Sequence, residues 1–139
     1  MSDLDRVIHL YRQFTKYDKF TYEQLITMTL PSINLDQYQI HRVGKQDVGF
    51  TNWAFINDIV QHRYKLTGKL KSNEWNSGKN IWVIGVIAKS HAREIINWVK
   101  EYFKPKLEVD QSVKWIRADY DLNIYRRSEK FKRQFHLHA

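Results

Sequence analysis

Residues Ile81–Ala88 form an unbroken apolar run rich in β-branched side chains, and an amphipathic segment begins only a few residues later. The run is far shorter than the roughly 20 residues that cross a bilayer. It reads as a central β-strand covered on both faces. Downstream, Ala92, Ile95, Ile96, Val99, Tyr102 and Phe103 recur at the spacing of one helix face, with Ser90 placed to cap that helix and Pro105 to end it. A strand that feeds straight into a helix points to an α/β layer structure, so the remaining segments must supply neighbouring strands and covering helices.

They have the patterns to do so. Leu4, Val7, Ile8, Tyr11 and Phe14 mark a first helix opened by Ser2 or Asp3. Thr21 and Gln24 form a capping box ahead of Leu25, Ile26 and Leu30, and Pro31 is expected to stop this second helix. Gln37–Val43 and Val48–Phe55 alternate like strands around the turn Gly44-Lys45-Gln46-Asp47, which predicts a β-hairpin. Ile56–Leu66 reads as a helix with Ile59, Val60 and Tyr64 inward, followed by a polar loop from Gly68 to Gly78. Val113–Asp119 and Leu122–Arg126 give a last strand pair around a turn flanked by Asp119 and Asp121. With no repeat or linker, the 139 residues make one domain, 1–139, carrying a basic stretch over about 126–139. The absence of cysteine excludes a disulfide framework and a zinc ribbon and suits a reducing cytoplasm, and residues 1–6 do not lead into a signal peptide's apolar core.

Lysine and arginine number 23 against 15 acidic residues, a net charge of +8. Such a balance favours anionic partners, whether nucleic acid, acidic protein surfaces or phosphorylated carriers. Candidate contacts are Lys79, Lys89, Ser90 and Arg93, together with Arg126, Arg127, Lys130, Lys132 and Arg133. Lys89, Ser90 and Arg93 stand where unpaired helix N–H groups attract an anion, although solvated basic residues around a capped helix give the same pattern. The Arg126–Arg133 run, with Phe131 and Phe135 nearby, mixes charge and rings as single-strand grooves do. No helix-turn-helix, RNA-recognition or finger signature accompanies it, and a protein-docking tail fits equally well. His136 and His138 lack a third ligand, so no metal site is expected. Trp75, in the loop, is the tryptophan expected to be exposed for a contact.

Several short motifs occur in a telling order: Leu30-Pro31-Ser32-Ile33 before Gln37-Tyr38, Val48-Gly49-Phe50 before Trp53-Ala54, then Trp75-Asn76-Ser77-Gly78-Lys79, Trp82–Ala88 and Ile116-Arg117-Ala118-Asp119. From about Leu25 to Glu129 this resembles the toxin-activating lysine acyltransferases. The resemblance implies an acetyltransferase-like fold, a mixed twisted sheet with helices on both faces. It also implies transfer of a fatty acyl group from acyl carrier protein to a protoxin lysine by a histidine and an aspartate. Aligned on the motifs, the histidine falls near Tyr17 and the aspartate on Gly85. A phenol with an ordinary pKa of about 10 is a poor base at neutral pH, and glycine has no side chain to orient one.

The expected function is therefore a catalytically degenerate scaffold with no cofactor, binding a protein partner. A basic terminal segment frays unless something pins it, so a place in a larger assembly such as a virion or tail belongs to this expectation. Two other readings stay open. One is an active lysine acyltransferase using the displaced histidines His9 or His91, with acyl carrier protein as donor. The other is nucleic-acid binding through the basic tail.

Overall fold

The computed structural model describes residues 1–118 and 124–131, with side chains described as far as Trp115. Helix α1 spans Asp3–Tyr11 and α2 Tyr22–Asn34, joined through a 3₁₀ turn at Thr15–Tyr17. Strands β1 (Tyr38–Val43) and β2 (Gln46–Ile56) follow, then α3 (Asp58–Thr67), β3 (Asn80–Ala88), α4 (Ala92–Phe103), β4 (Ser112–Ala118) and β5 (Ile124–Phe131). The five strands make one mixed sheet in the order β1-β2-β3-β4-β5, parallel only between β3 and β4. The apolar run thus lies at the centre of the sheet, as its composition requires.

Local chemistry sets the helix ends. Ser2 accepts the Asp5 N–H at the start of α1, and Thr21 and Gln24 complete the reciprocal capping box of α2. Pro31 does not stop α2, which continues to Asn34. A proline near the last turn forfeits one backbone bond, and the turn beyond it is held by Leu35 N–H to the Pro31 carbonyl at 3.2 Å and Ser32 Oγ to the Thr29 carbonyl at 2.7 Å. The hairpin turn is tighter than the sequence suggests. Gln46 and Asp47 already belong to β2, leaving Gly44 and Lys45 as a two-residue connection. Ser90 does not cap α4. Its hydroxyl pairs with His91 Nδ1 at 2.9 Å, and His91 itself opens the helix in the left-handed region at φ 60°.

The hydrophobic residues form layers on both sides of the sheet. On one side α1 and α2 bring Val7, Leu10, Tyr11 and Leu25 onto Ile40, Phe50 and Ile87, and α3 brings Val60 and Tyr64 onto Ala54, Ile56 and Trp82. On the other, α4 lays Phe103 with Trp98 and Tyr102 over Trp53, Val83 and Val113. Trp98 and Tyr102 stack with ring centroids 4.9 Å apart, and Tyr102 lies 4.8 Å from Trp53. Two apolar residues expected inside are outside: Ile59 is 84% exposed and Ile96 42%. Trp75 is the reverse case, buried at 2%. Its carbonyl accepts Phe55 N–H at 2.9 Å and Gln37 Nε2 at 3.1 Å, which straps the loop against β2. Gly78 allows this close approach, because a Cβ there would lie 2.4 Å from the Asn57 backbone.

α1 is anchored to the hairpin by charge. The Arg6 guanidinium meets both carboxylate oxygens of Asp47 at 2.9 and 2.7 Å and Asp3 at 3.0 Å. Such a paired fork holds the Asp47 carboxyl below the usual range. The Tyr38 hydroxyl donates to Asp3 at 2.5 Å, which pushes the phenol up to about 12.

The capping box gives a direct check on α2. Thr21→Ala leaves the Gln24 N–H without its acceptor and is expected to lower the unfolding free energy by about 1 kcal/mol in urea melts, with a smaller loss for Gln24→Ala.

Candidate functional site

A one-residue bulge decides what faces what. Asn52 of β2 lies opposite Gly85, but the next residue, Trp53, lies opposite Val83, so Ile84 is an extra residue on β3. An extra residue shifts the alternation of the strand. Ile81 and Val83 pack toward α4, whereas Gly85 and Ile87, which simple counting by two would send the same way, lie on the side of α1 and α2.

There Gly85 meets two side chains. A Cβ at this position would sit 2.8 Å from Asn52 Oδ1 and 3.0 Å from the Tyr11 hydroxyl. Asn52 is fully buried, and its Nδ2 donates to the Met28 carbonyl and to Ser32 Oγ, both at 3.0 Å. Those partners orient the carboxamide, since a main-chain carbonyl can only accept, and they leave Oδ1 without a donor among the described residues. Tyr11 in turn takes the ring of Tyr17 edge-on, centroids 4.8 Å apart, with Phe20 beyond at 5.4 Å from Tyr17. The two positions singled out by alignment, Tyr17 and Gly85, thus lie at two ends of one cluster with Tyr11 between them.

The titratable groups of that cluster are phenols. Burial raises both phenols, Tyr11 and Tyr17, so each stays a neutral hydroxyl near pH 7. Ser32 Oγ donates to the Thr29 carbonyl, so its proton is committed. No carboxylate and no imidazole stand among these contacts.

The other candidates lie elsewhere. His9 is exposed on α1, two residues before Tyr11 and so roughly on the opposite side of the helix. His91 is exposed at the mouth of α4 beside Ser90, Lys89 and Arg93, also exposed. Lys79 precedes β3 while Lys89 and Arg93 follow it, and a nine-residue strand separates these ends by about 30 Å. The basic candidates consequently do not form one patch. Lys79 lines a small cleft with Lys106 and Glu108, near the end of the sheet where Lys130 pairs with Val113. Arg126 pairs with Arg117 toward the other end. Arg126, Arg127 and Lys130 belong to β5, which replaces the start of the expected free tail with a paired strand. Lys132, Arg133, His136 and His138, and the turn at Asp119 and Asp121, lie outside the described residues. Among the described residues no cluster of metal-ligating side chains occurs, and no helix is long and apolar enough to cross a membrane.

Two polar residues escaped the sequence reading. One is Asn52. The other is His41 on β1, 8% exposed, with Nε2 2.8 Å from Thr51 Oγ1 and its ring edge-on to Trp98 at 5.1 Å. Desolvation lowers its pKa to about 4. A lone histidine or asparagine amid apolar strand residues was the available signal.

The sequence matches the RTX toxin acyltransferase family over residues 2–132. The chain belongs to that family. Among its relatives is an uncharacterized protein, sll0720, of Synechocystis sp., 35% identical over 122 residues, covering 85% of this chain and 80% of the relative. The RTX-II toxin-activating lysine-acyltransferase ApxIIC of Actinobacillus pleuropneumoniae is 28% identical over 86 residues. That alignment takes in 61% of this chain and 54% of the enzyme, so the chain spans about half of the enzyme's length.

Two measurements follow from this geometry. Gly85→Ala forces a methyl against Asn52, which its hydrogen bonds hold in place, and is expected to cost about 1–3 kcal/mol of stability in denaturant melts. The second concerns pH. The unfolded chain takes a proton on His41 near the ordinary value of about 6.5, the folded protein only near 4. Stability should therefore fall as pH drops from about 6.5 to 4, by on the order of 1 kcal/mol per pH unit. His41→Gln is expected to remove most of that slope in melts run across this window.

Proposed function

We propose that this chain is a non-catalytic member of the acyltransferase family, a scaffold that works by binding a protein partner, within a larger assembly. The observation that supports this most is the packing at Gly85. The place where a side chain would emerge is taken by Asn52 Oδ1 and the Tyr11 hydroxyl, and Tyr17 is turned edge-on into an aromatic cluster. The family chemistry needs a base and a carboxylate within hydrogen-bond reach. Here the position for one is filled by a carboxamide and the other is a half-buried phenol. An acetyltransferase-like architecture is the fold reading that fits the mixed sheet and the central β3 running into α4.

The partner is anionic on this reading. Lys79, Lys89 and Arg93 are exposed and take part in no ion pair among the described residues. Arg126, Arg127, Lys130, Lys132 and Arg133 add to the net charge of +8, which raises encounter rates with acidic surfaces over distances set by salt.

Incubation of purified protein with acyl carrier protein bearing a labelled fatty acyl chain, and with lysine-bearing protein substrates, is expected to give no transfer above a protein-free control. The double variant Tyr17→His/Gly85→Asp should stay inactive as well, since Asn52 and Tyr11 still occupy the space. Sustained turnover by the unsubstituted protein would overturn the reading.

A further inference from the structure

Helix α3 carries apolar side chains on two sides, and the sheet covers one of them. Val60 and Tyr64 face inward onto Ala54, Ile56 and Trp82. Ile59, His62 and Leu66 fall within about 60° of one another and about 150° around the helix from that inward pair, at about 3.6 residues per turn. Ile59 is 84% exposed and Leu66 65%, with His62 exposed between them. A helix that only closes a core needs one apolar stripe. The second stripe here steps by three and then by four residues, the spacing with which one helix seats against another.

This face is rigid before any partner arrives, which lowers the ordering cost of binding. Asn57 Oδ1 accepts the Val60 N–H at 2.8 Å, Gly68 closes the other end of α3 at φ 68°, and Gln61 Oε1 accepts Trp82 Nε1 at 2.8 Å from the sheet. Its charge is uneven. Asp58, at the N-terminal end, accepts Asn80 Nδ2 at 2.8 Å, and Arg63 and Glu74 pair with each other. Glu74 also accepts the Lys71 N–H at 2.7 Å, which fastens the following loop to the helix. Lys69 and Lys71 of that loop are exposed and take part in no ion pair among the described residues. Lys65 adds a further positive charge, and β5, which contacts α3, has three basic residues and one acidic in its sequence.

The apolar stripe and the cations at its C-terminal end together define an occupant. A single-stranded nucleic acid stacks on aromatic rings, and the stripe holds only the His62 imidazole. A lipid surface makes no use of the three-and-four spacing. An acidic amphipathic helix matches both features. We propose that the outer face of α3 docks such a helix of a partner protein, its apolar line on Ile59, His62 and Leu66 and its carboxylates toward Lys69 and Lys71. The inference rests on the binding-protein reading and adds the surface and the kind of partner.

The test uses the full chain and an N-acetylated, C-amidated peptide of about three heptads, with leucine at a and d and glutamate at e and g. Repulsion between the glutamates keeps the free peptide from pairing with itself, so its helicity is expected to rise saturably as the chain is added, with an affinity that salt weakens. The same peptide with serine for leucine is expected not to bind. Ile59→Ser/Leu66→Ser alters exposed positions only, and its melting temperature checks that folding is intact. That variant and Lys69→Glu/Lys71→Glu are each expected to weaken binding at least tenfold. No binding at millimolar peptide overturns the proposal, and so does binding that either double variant leaves within twofold. A chain that ignores the peptide but sediments with phosphatidylglycerol vesicles through Ile59 and Leu66 overturns it in favour of a lipid surface. Self-association of the chain that is lost in Ile59→Ser/Leu66→Ser overturns it in favour of a second copy. Absent peptide binding in a protein that also lacks acyl transfer sinks the α3 surface and spares the scaffold reading, whereas turnover sinks that reading whatever the peptide does.

Discussion

The Asn52 carboxamide ties the sheet of this molecule to its second helix. Its N–H groups fasten the sheet to α2 at Met28 and Ser32, and its oxygen lies against Gly85 on the neighbouring strand. A buried acceptor left without a donor costs about 1–3 kcal/mol. The fold carries that cost while gaining two hydrogen bonds between layers. A single side chain thereby serves as structural bridge and as filler of the space above β3. A carboxylate at position 85 would have to displace this packing.

Packing around this point is divided by the sheet. The α1/α2 layer is held to the hairpin both by apolar contact and by the Arg6 fork on Asp47 and Asp3. The α4 layer depends on stacked rings, with Trp98, Tyr102 and Phe103 over Trp53. His41 is enclosed in that second layer as a neutral group, paired with Thr51. Polar side chains are thus present on both faces of β1 and β2, each held in a different way: His41 by a hydroxyl, Asn52 through its N–H groups by a helix.

Much of this was legible in the chain. Periodicity and capping residues located the helices, because Ser2 and the Thr21–Gln24 pair act through contacts only three residues away in sequence. The apolar run gave the central strand for the same local reason. What failed depended on distant partners. Pro31 is tolerated because the helix end beyond it finds other bonds. Trp75 is buried because Gln37 and Phe55, far off in sequence, hold its loop. Ile59 is outside because α3 turns only Val60 and Tyr64 inward. The order of motifs drew attention to Tyr17 and Gly85, but nothing local foretold that Tyr11 would meet both or that Asn52 would meet Gly85.

The extra residue at Ile84 sets which layer the second half of β3 addresses. It divides β3 into two lengths whose inward and outward positions are out of step, so the surroundings of position 85 depend on the bulge as firmly as on the residue that occupies it. Regular pleating at the present length would swing glycine toward the aromatic layer and turn Val86, now 39% exposed, toward the crowded helical side. The kink at Ile84 is thus what seats a position without a side chain beneath Asn52 and Tyr11.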